Sequence, residues 1–132
     1  MATKKYINKS VLQAAKDRIS NVFDTFEKYY ISFSGGKDST VMFHLVMEEA
    51  IKRKKKVGVL IIDLEAQYTN TIDHIREVIN MYENNIDLHW FCGQLLLRNA
   101  VSDYEPKWCC WDEEKKDIWI RQKPKEEINT DI

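Results

Sequence analysis

The stretch Ser34-Gly35-Gly36-Lys37-Asp38-Ser39 gathers residue types suited to holding an anion. Two adjacent glycines permit positive φ and let a ligand come close to the backbone. Lys37 adds a formal positive charge, and Ser34 and Ser39 add hydroxyl donors. The residues before this stretch, Tyr30-Ile31-Ser32-Phe33, are β-branched and aromatic and read as a strand entering a core. After it the period changes at once, with Val41, Met42, Leu45, Val46 and Met47 recurring at helical spacing. A loop that opens a helix presents unpaired N–H groups and the positive end of the helix dipole, which together attract an anion. The chemistry these residues suggest is phosphate binding.

Two familiar phosphate loops are excluded by spacing. A Walker A loop requires a glycine five positions before Gly36, where Ile31 stands, and a Ser or Thr after the lysine, where Asp38 stands. A dinucleotide fingerprint requires a third glycine after the pair, and none follows.

What remains, Ser-Gly-Gly-Lys-Asp-Ser between a first strand and a first helix, resembles the PP-loop of the adenine-nucleotide α-hydrolase superfamily. That superfamily includes N-type ATP pyrophosphatases and phosphoadenosine phosphosulfate (PAPS) reductases. The apolar run 57–62 ending in Asp63 looks like its second strand, whose end lies beside the adenosine. The segment "RNAVSDYEPKWCCWDEEKKDIWIRQKP" is similar to PAPS-reductase-like proteins of the prophage co-activator type. The resemblance implies a Rossmann-like α/β fold, a three-layer sandwich around a small parallel sheet. It implies an adenine nucleotide, ATP or PAPS, held by Ser34, Gly35, Gly36, Lys37, Asp38 and Ser39, with Asp63 beside the nucleotide or a metal. Asp38 would hold the turn, and Mg²⁺ would screen a carboxylate at the mouth of an anion site. If the chain is an enzyme, the implied chemistry is cleavage at the α-phosphate, with Lys37 in the catalytic role of stabilising developing pyrophosphate charge. Arg98 and Arg121 are the candidate further anion contacts.

The departures from the family pattern limit the activity. PAPS reductases attack sulfur with a cysteine near the C-terminus, in a Glu-Cys-Gly context, and no cysteine follows Cys110 here. An iron–sulfur cluster usually takes four thiolates, and this chain has only three cysteines, Cys92, Cys109 and Cys110. Reduction by this chain alone is therefore not expected, nor is an iron–sulfur cluster of its own. Two alternatives stand beside the nucleotide-binding PAPS-reductase-like domain: a non-catalytic, partner-dependent regulatory module of the prophage co-activator type, and an adenylating ATP pyrophosphatase. A ParB-like protein is the partner that the first alternative implies.

The elements that must position the loop follow from hydrophobic period. Ser10 is a good N-cap with Gln13 placed for a capping box, and Val11, Leu12, Ala15, Ile19, Val22, Phe23 and Phe26 mark one face of a helix. A strand from Tyr29 to Phe33 leads to the loop, and a second helix runs from Asp38 to Lys54. "KVGVLIID" is a continuous apolar strand of the kind buried in a parallel sheet. Ile72, Ile75, Val78, Ile79 and Tyr82 stripe a third helix, and "IDLHWFCG" reads as a third strand. Alternation of this kind specifies an α/β layer with a parallel sheet. Past Gly93 we expect a short helix in "QLLLRNAVSDY" and a short strand at Ile118 to Arg121. The chain thus reads as one domain, 1–132, with an N-terminal helical part (1–28), a core (29–93), an aromatic-rich lid or edge segment (94–124) and a polar tail (125–132).

Composition fits this reading. Hydrophobic residues make up 44% of the 132, enough for a core, and 20 basic residues nearly balance 21 acidic ones, so no global field favours nucleic acid or an anionic membrane. The basic run Lys52-Arg53-Lys54-Lys55-Lys56 offers contacts to nucleic acid, but it falls at a helix C-terminus, where the dipole favours cations, and we read it as a solvated cap. Trp108, Trp111 and Trp119 suit core and lid. The start, "MATKKYINKS", lacks the apolar stretch of a secretory signal, which makes a cytoplasmic location the expectation. With little sequence left to cover the far side of the first strand, self-association or a protein partner is expected at that sheet edge.

Overall fold

The structure, a computed structural model, describes residue 6 and residues 8–125. Helix α1 (Val11–Thr25) begins where Ser10 accepts a hydrogen bond from the Gln13 amide at 3.1 Å. Strand β1 (Tyr30–Ser32), helix α2 (Lys37–Lys52), strand β2 (Val57–Ile62), helix α3 (Thr69–Met81) and strand β3 (Ile86–Phe91) follow in the expected alternation. The three strands form a parallel sheet in the order β1-β2-β3, with Ile31 opposite Val59 and Val59 opposite Leu88. Each crossover moves one strand along in the same direction, and right-handed crossovers then place α2 and α3 on one face of the sheet.

That face holds the core. Ile31, Phe33, Val57, Val59, Ile61 and Trp90 meet Phe43 and Met47 of α2 and Ile72, Ile75 and Val78 of α3, all nearly free of solvent. Burying one such side chain contributes roughly 1.5–3 kcal/mol, more than the ~1 kcal/mol of a typical net hydrogen bond. The apolar stripe, not local propensity, therefore fixes these helices. The opposite face of the sheet is open among the described residues: Tyr30 is 71% exposed and Ile62 46%. The α/β class with a small parallel sheet holds, and the described residues supply helices to one face of it.

Two expectations beyond Gly93 are corrected. Leu95–Arg98 is a strand, β4, and not a helix; it pairs antiparallel with β5 (Lys107–Cys110), Leu95 opposite Cys110. An unbroken Leu95-Leu96-Leu97 run fits either period, and the pairing decides it: Leu95 and Leu97 turn toward the core while Leu96 and Arg98 face out. The expected strand at Ile118 to Arg121 is absent, because a 3₁₀ segment, Glu113–Ile118, ends there and the chain continues without a ladder. Residues 126–132 of the expected polar tail lie outside the described residues. Among described helices none is long and apolar enough to cross a membrane.

Among the described residues, the edge of β1 away from β2 has no strand on it. Phe33 N–H donates to Leu60 and Gly58 N–H donates to the Tyr29 carbonyl, so the odd-numbered residues face β2. The N–H and C=O groups of Tyr30 and Ser32 consequently point to the free edge. Beside that edge, α1 and α2 leave an apolar groove of about 420 Å³ lined by Ile19, Val22, Phe23, Met42 and Val46. The amphipathic face of α1 is accordingly only partly covered. Phe23 is buried, whereas Leu12 and Phe26 are more than half exposed.

The basic run closes α2 rather than forming a patch. Lys54 adopts φ 55°, the left-handed turn that ends a helix, and the Lys55 amide donates back to Ala50 at 2.9 Å. Arg53 turns inward and joins α1 to α2: it donates to Asp24 at 2.5 Å, to Glu49 at 2.6 Å and to the Ser20 hydroxyl at 2.8 Å. Hydrogen bonds from Arg53 hold the Asp24 and Glu49 carboxyls below their ordinary 3.8 and 4.5. Depressed carboxyls contribute stability that is complete above their ordinary values and lost as pH falls through the lowered ones. The stability gap between the native chain and Arg53→Gln should thus be widest above about pH 5 and shrink below about pH 4. Thermal melts across that range check it, and a gap that ignores pH would mean that Arg53 acts by packing alone.

Candidate functional site

β1 ends at the loop, and α2 begins at Lys37 with Gly36 as its N-cap. Gly35 sits at φ +73°, and a Cβ there would lie 2.7 Å from Ile75 Cγ1. Backbone and α3 packing both demand glycine at that position. Gly36 differs: a Cβ there would meet only the Ser34 and Ser39 hydroxyl oxygens, at 3.6 and 3.9 Å. Its side is the open mouth of the loop.

The loop is tied by its own hydroxyls. Ser39 Oγ donates to the Gly36 carbonyl at 2.9 Å, and Ser34 Oγ lies 3.0 Å from Ser39 Oγ. Thr40 reaches the same Gly36 carbonyl twice, through its N–H and its Oγ1, each at 2.9 Å. The Thr40 N–H bond is the first of the helix, so the amides of Lys37, Asp38 and Ser39 precede the intrahelical ladder. No side chain caps them. Three outward amides, the dipole and the exposed Lys37 converge on one mouth, with Asp38 in the first turn as the expected counterweight.

β1 and β2 run parallel, so the loop after Ser32 and Asp63 after Ile62 lie at the same end of the sheet, beyond the C-terminal ends of its strands. Asp63, however, is wholly buried. Its Oδ1 accepts from the Glu65 amide at 2.9 Å and from Arg121 Nη2, and its Oδ2 accepts from Trp90 Nε1 at 2.9 Å. The Trp111 indole donates to the Asp63 carbonyl at 2.7 Å, and the Trp111 amide donates to Glu65 Oε2 at 2.7 Å. Both Glu65 and Trp111 sit at positive φ, 63° and 55°, a strained conformation for non-glycine residues that the surrounding bonds maintain. Asp63 thus anchors the C-terminal segment instead of facing a crevice.

Arg121 is brought to Asp63 and stacks on Trp111 at 5.1 Å, while its Nε and Nη1 are buried without a hydrogen-bond partner among the described residues. Arg98 stands exposed on β4, opposite Lys107. Cys110 is buried, its thiol donating toward Leu95 and Gly93 carbonyls, and burial pushes its pKa up. A thiol so placed is a poor nucleophile. The described residues contain no cluster of three or more His, Cys, Asp or Glu side chains able to hold a metal.

A family model described as "Phosphoadenosine phosphosulfate reductase domain" matches residues 28–119. The chain belongs to that family. Among its relatives is "Uncharacterized protein YbdN" of Escherichia coli (strain K12), 38% identical over 120 residues. The match takes in 90% of this chain but only 29% of the relative, whose polypeptide is therefore much longer. No solved structure matches. The family match spans the loop, Asp63, Glu65 and Trp111 and stops at Trp119, two residues short of Arg121.

Sequence reasoning missed Thr40, Glu65 and the approach of His74 Nε2 to Thr40 Oγ1, at 3.0 Å. The Thr40 signal was present, since a Thr four residues after a helix N-cap is placed to bond that cap's carbonyl. Glu65 offered no signal, because its partner lies 46 residues away.

Asp63→Asn places an amide where three donors converge. Loss of a buried pair costs roughly 3–5 kcal/mol, and the partial exposure of Arg121 moves the expectation to about 2–4 kcal/mol. Denaturant titration followed by tryptophan fluorescence measures it. Full stability in Asp63→Asn, with nucleotide binding lost, would instead make Asp63 a ligand contact.

Proposed function

We propose that this member of the PAPS reductase domain family binds an adenine nucleotide, ATP or PAPS, by its phosphate groups at the Ser34–Ser39 loop. The observation that carries the reading is the loop itself: three uncapped amides and an exposed lysine around a mouth that Gly36 keeps open. Oxygens of a pyrophosphate or phosphosulfate would accept from those amides and from Lys37. Ser34 and Ser39 would shape the turn and offer further hydroxyls. Mg²⁺ on the phosphates would offset the Asp38 carboxylate.

Lys37 has no core role, so Lys37→Ala should leave folding intact and weaken pyrophosphate or ATP·Mg²⁺ binding by roughly ten- to a hundred-fold, about 1.5–3 kcal/mol. Calorimetric titration of both proteins checks it. Equal affinity in the two would remove the loop from consideration.

On this reading the chain by itself is a binding module rather than a reductase. Sulfonucleotide reduction needs an accessible thiolate; Cys92 and Cys110 are buried, burial pushes the Cys110 pKa up, and the half-buried Cys109 lacks the Glu-Cys-Gly context that the family uses. A second reading, a partner-dependent module, is supported by the free edge of β1. The occupant we propose there is an extended segment of another polypeptide, the ParB-like protein implied by the resemblance, with alternating aliphatic side chains. Its backbone would pair with Tyr30 and Ser32, and its aliphatic face would fill the groove between α1 and α2. A second copy fits less well, because a two-fold axis normal to the sheet would bring the copy's α1 to the same side as this one. Hydrogen exchange tests the edge: the Tyr30 and Ser32 amides should exchange freely while Ile31 and Phe33 stay protected. Protection of all four in the isolated, dilute chain would show that the edge is already covered.

A further inference from the structure

We infer that His74 is a positioning residue for the anion loop, acting through Thr40 on the peptide that carries the Lys37 amide. The inference rests on the phosphate-loop reading above and deepens it.

The Gly36 carbonyl accepts from three donors, Thr40 N–H, Thr40 Oγ1 and Ser39 Oγ, each at 2.9 Å. In a trans peptide the C=O of Gly36 and the N–H of Lys37 point in opposite directions across one rigid plane. Pinning that carbonyl along the helix therefore aims the Lys37 N–H out of the helix, toward the mouth. The Thr40 backbone bond alone would fix a helix start. The two added hydroxyl bonds limit tilting of the plane, and that tilt sets where the amide points.

Thr40 has one hydroxyl proton, and it is given to Gly36. Its oxygen lies 3.0 Å from His74 Nε2, so the imidazole must donate there, which requires a proton on Nε2. Both the neutral Nε2–H tautomer and the imidazolium satisfy this, whereas the Nδ1–H tautomer would set an acceptor against a committed oxygen. His74 comes from α3, a different element, and is partly buried against Phe33, its ring centroid 6.5 Å away. The neighbouring Ile75 closes on Gly35 from the same helix. One turn of α3 thus touches the loop twice: Ile75 fixes where Gly35 sits, and His74 fixes how the Gly36–Lys37 plane is turned. A histidine that only filled space would be replaceable by an apolar residue without consequence for the Lys37 amide.

The test compares Thr40→Val, Thr40→Ser, His74→Leu and His74→Gln with the native chain, using inorganic pyrophosphate as probe. Glutamine can place an amide N–H near the position of Nε2, and serine keeps the hydroxyl, so these two should bind as the native chain does. Thr40→Val and His74→Leu should each weaken pyrophosphate roughly ten-fold, and the double variant Thr40→Val/His74→Leu should be little worse than either alone, as expected of residues acting in series. In the ligand-free proteins the Lys37 amide resonance should move in Thr40→Val and His74→Leu and return in His74→Gln. Native affinity in His74→Leu, or an unmoved Lys37 resonance, overturns the inference while leaving the loop reading standing. A native chain that does not bind pyrophosphate overturns the loop reading and the inference with it. Lost stability in His74→Leu with unchanged affinity assigns His74 to packing and also overturns it.

Discussion

A carboxylate sealed from water at the end of β2 is the constraint on which the second half of the molecule depends. Asp63 is fully buried and receives hydrogen bonds from three directions: forward from the Glu65 amide, sideways from Trp90 of β3, and across from Arg121. A buried ion is costly unless it is paired and hydrogen-bonded, so each partner must be present for the others to be tolerated. This interdependence joins segments that local structure would leave apart. The stretch after Gly93 has one two-stranded ladder of its own and a 3₁₀ segment. What docks it on the core is the Trp111 indole on the Asp63 carbonyl, Glu65 on the Trp111 amide, and Arg121 stacked over the same indole. The left-handed Glu65 and Trp111 show that the backbone bends to meet these bonds, with their strain offset by the burial of Trp111.

The loop after β1 solves a different problem at the same end of the sheet. An anion site must offer unpaired donors without collapsing on itself. Here the hydroxyls of Ser39 and Thr40 are turned inward onto one carbonyl, and Gly35 is packed against Ile75. The backbone is held, and the amides of α2's first turn remain outward. Rigidity supplied by side chains and affinity supplied by backbone are thus separated. That separation explains why the loop needs small and hydroxylic residues rather than many charges. A chain with 20 basic and 21 acidic residues has no general field to draw on, so the proposed attraction for a phosphate would have to be local.

Much of this was legible in the sequence, and the reasons are physical. The change from strand to helical period across Ser34–Ser39 marked β1, the loop and α2 to within a residue or two, because one buried face imposes its period on each element. A continuous apolar run gave β2, and the alternation of Ile86, Leu88 and Trp90 with polar Asp87 and His89 gave β3, for the same reason. The failures all involve partners distant in sequence. Leu95-Leu96-Leu97 has no period of its own, and Cys110 and Trp108 across the ladder decide that it is a strand. Ile118-Trp119-Ile120-Arg121 is β-branched and aromatic like a strand, yet its Trp119 packs on Trp111 and its Arg121 reaches Asp63, 58 residues earlier. Asp63 itself was placed correctly at a strand end, where ligands often bind. Whether such a carboxylate faces a crevice or a guanidinium depends on what the chain does 58 residues later, which local pattern cannot express.

The sheet's open surfaces bear on how the two halves are used together. α2 and α3 cover one face, while β1 keeps a free edge and Tyr30 and Ile62 stand exposed on the other face. The Ser34–Ser39 loop begins two residues past the end of that free-edged strand. A segment added along β1 would therefore lie next to the loop and meet Ser32 directly. Its arrival would exclude water from one side of the mouth, and lower local polarity would strengthen the amide-to-phosphate contacts proposed there. Asp63 and Arg121 already close the neighbouring strand end on the β2 side. The loop is thus bounded on one side by a finished, dry anchor and on the other by an unfinished edge. A segment that completed that edge would be in a position to set how tightly the loop holds the proposed phosphate.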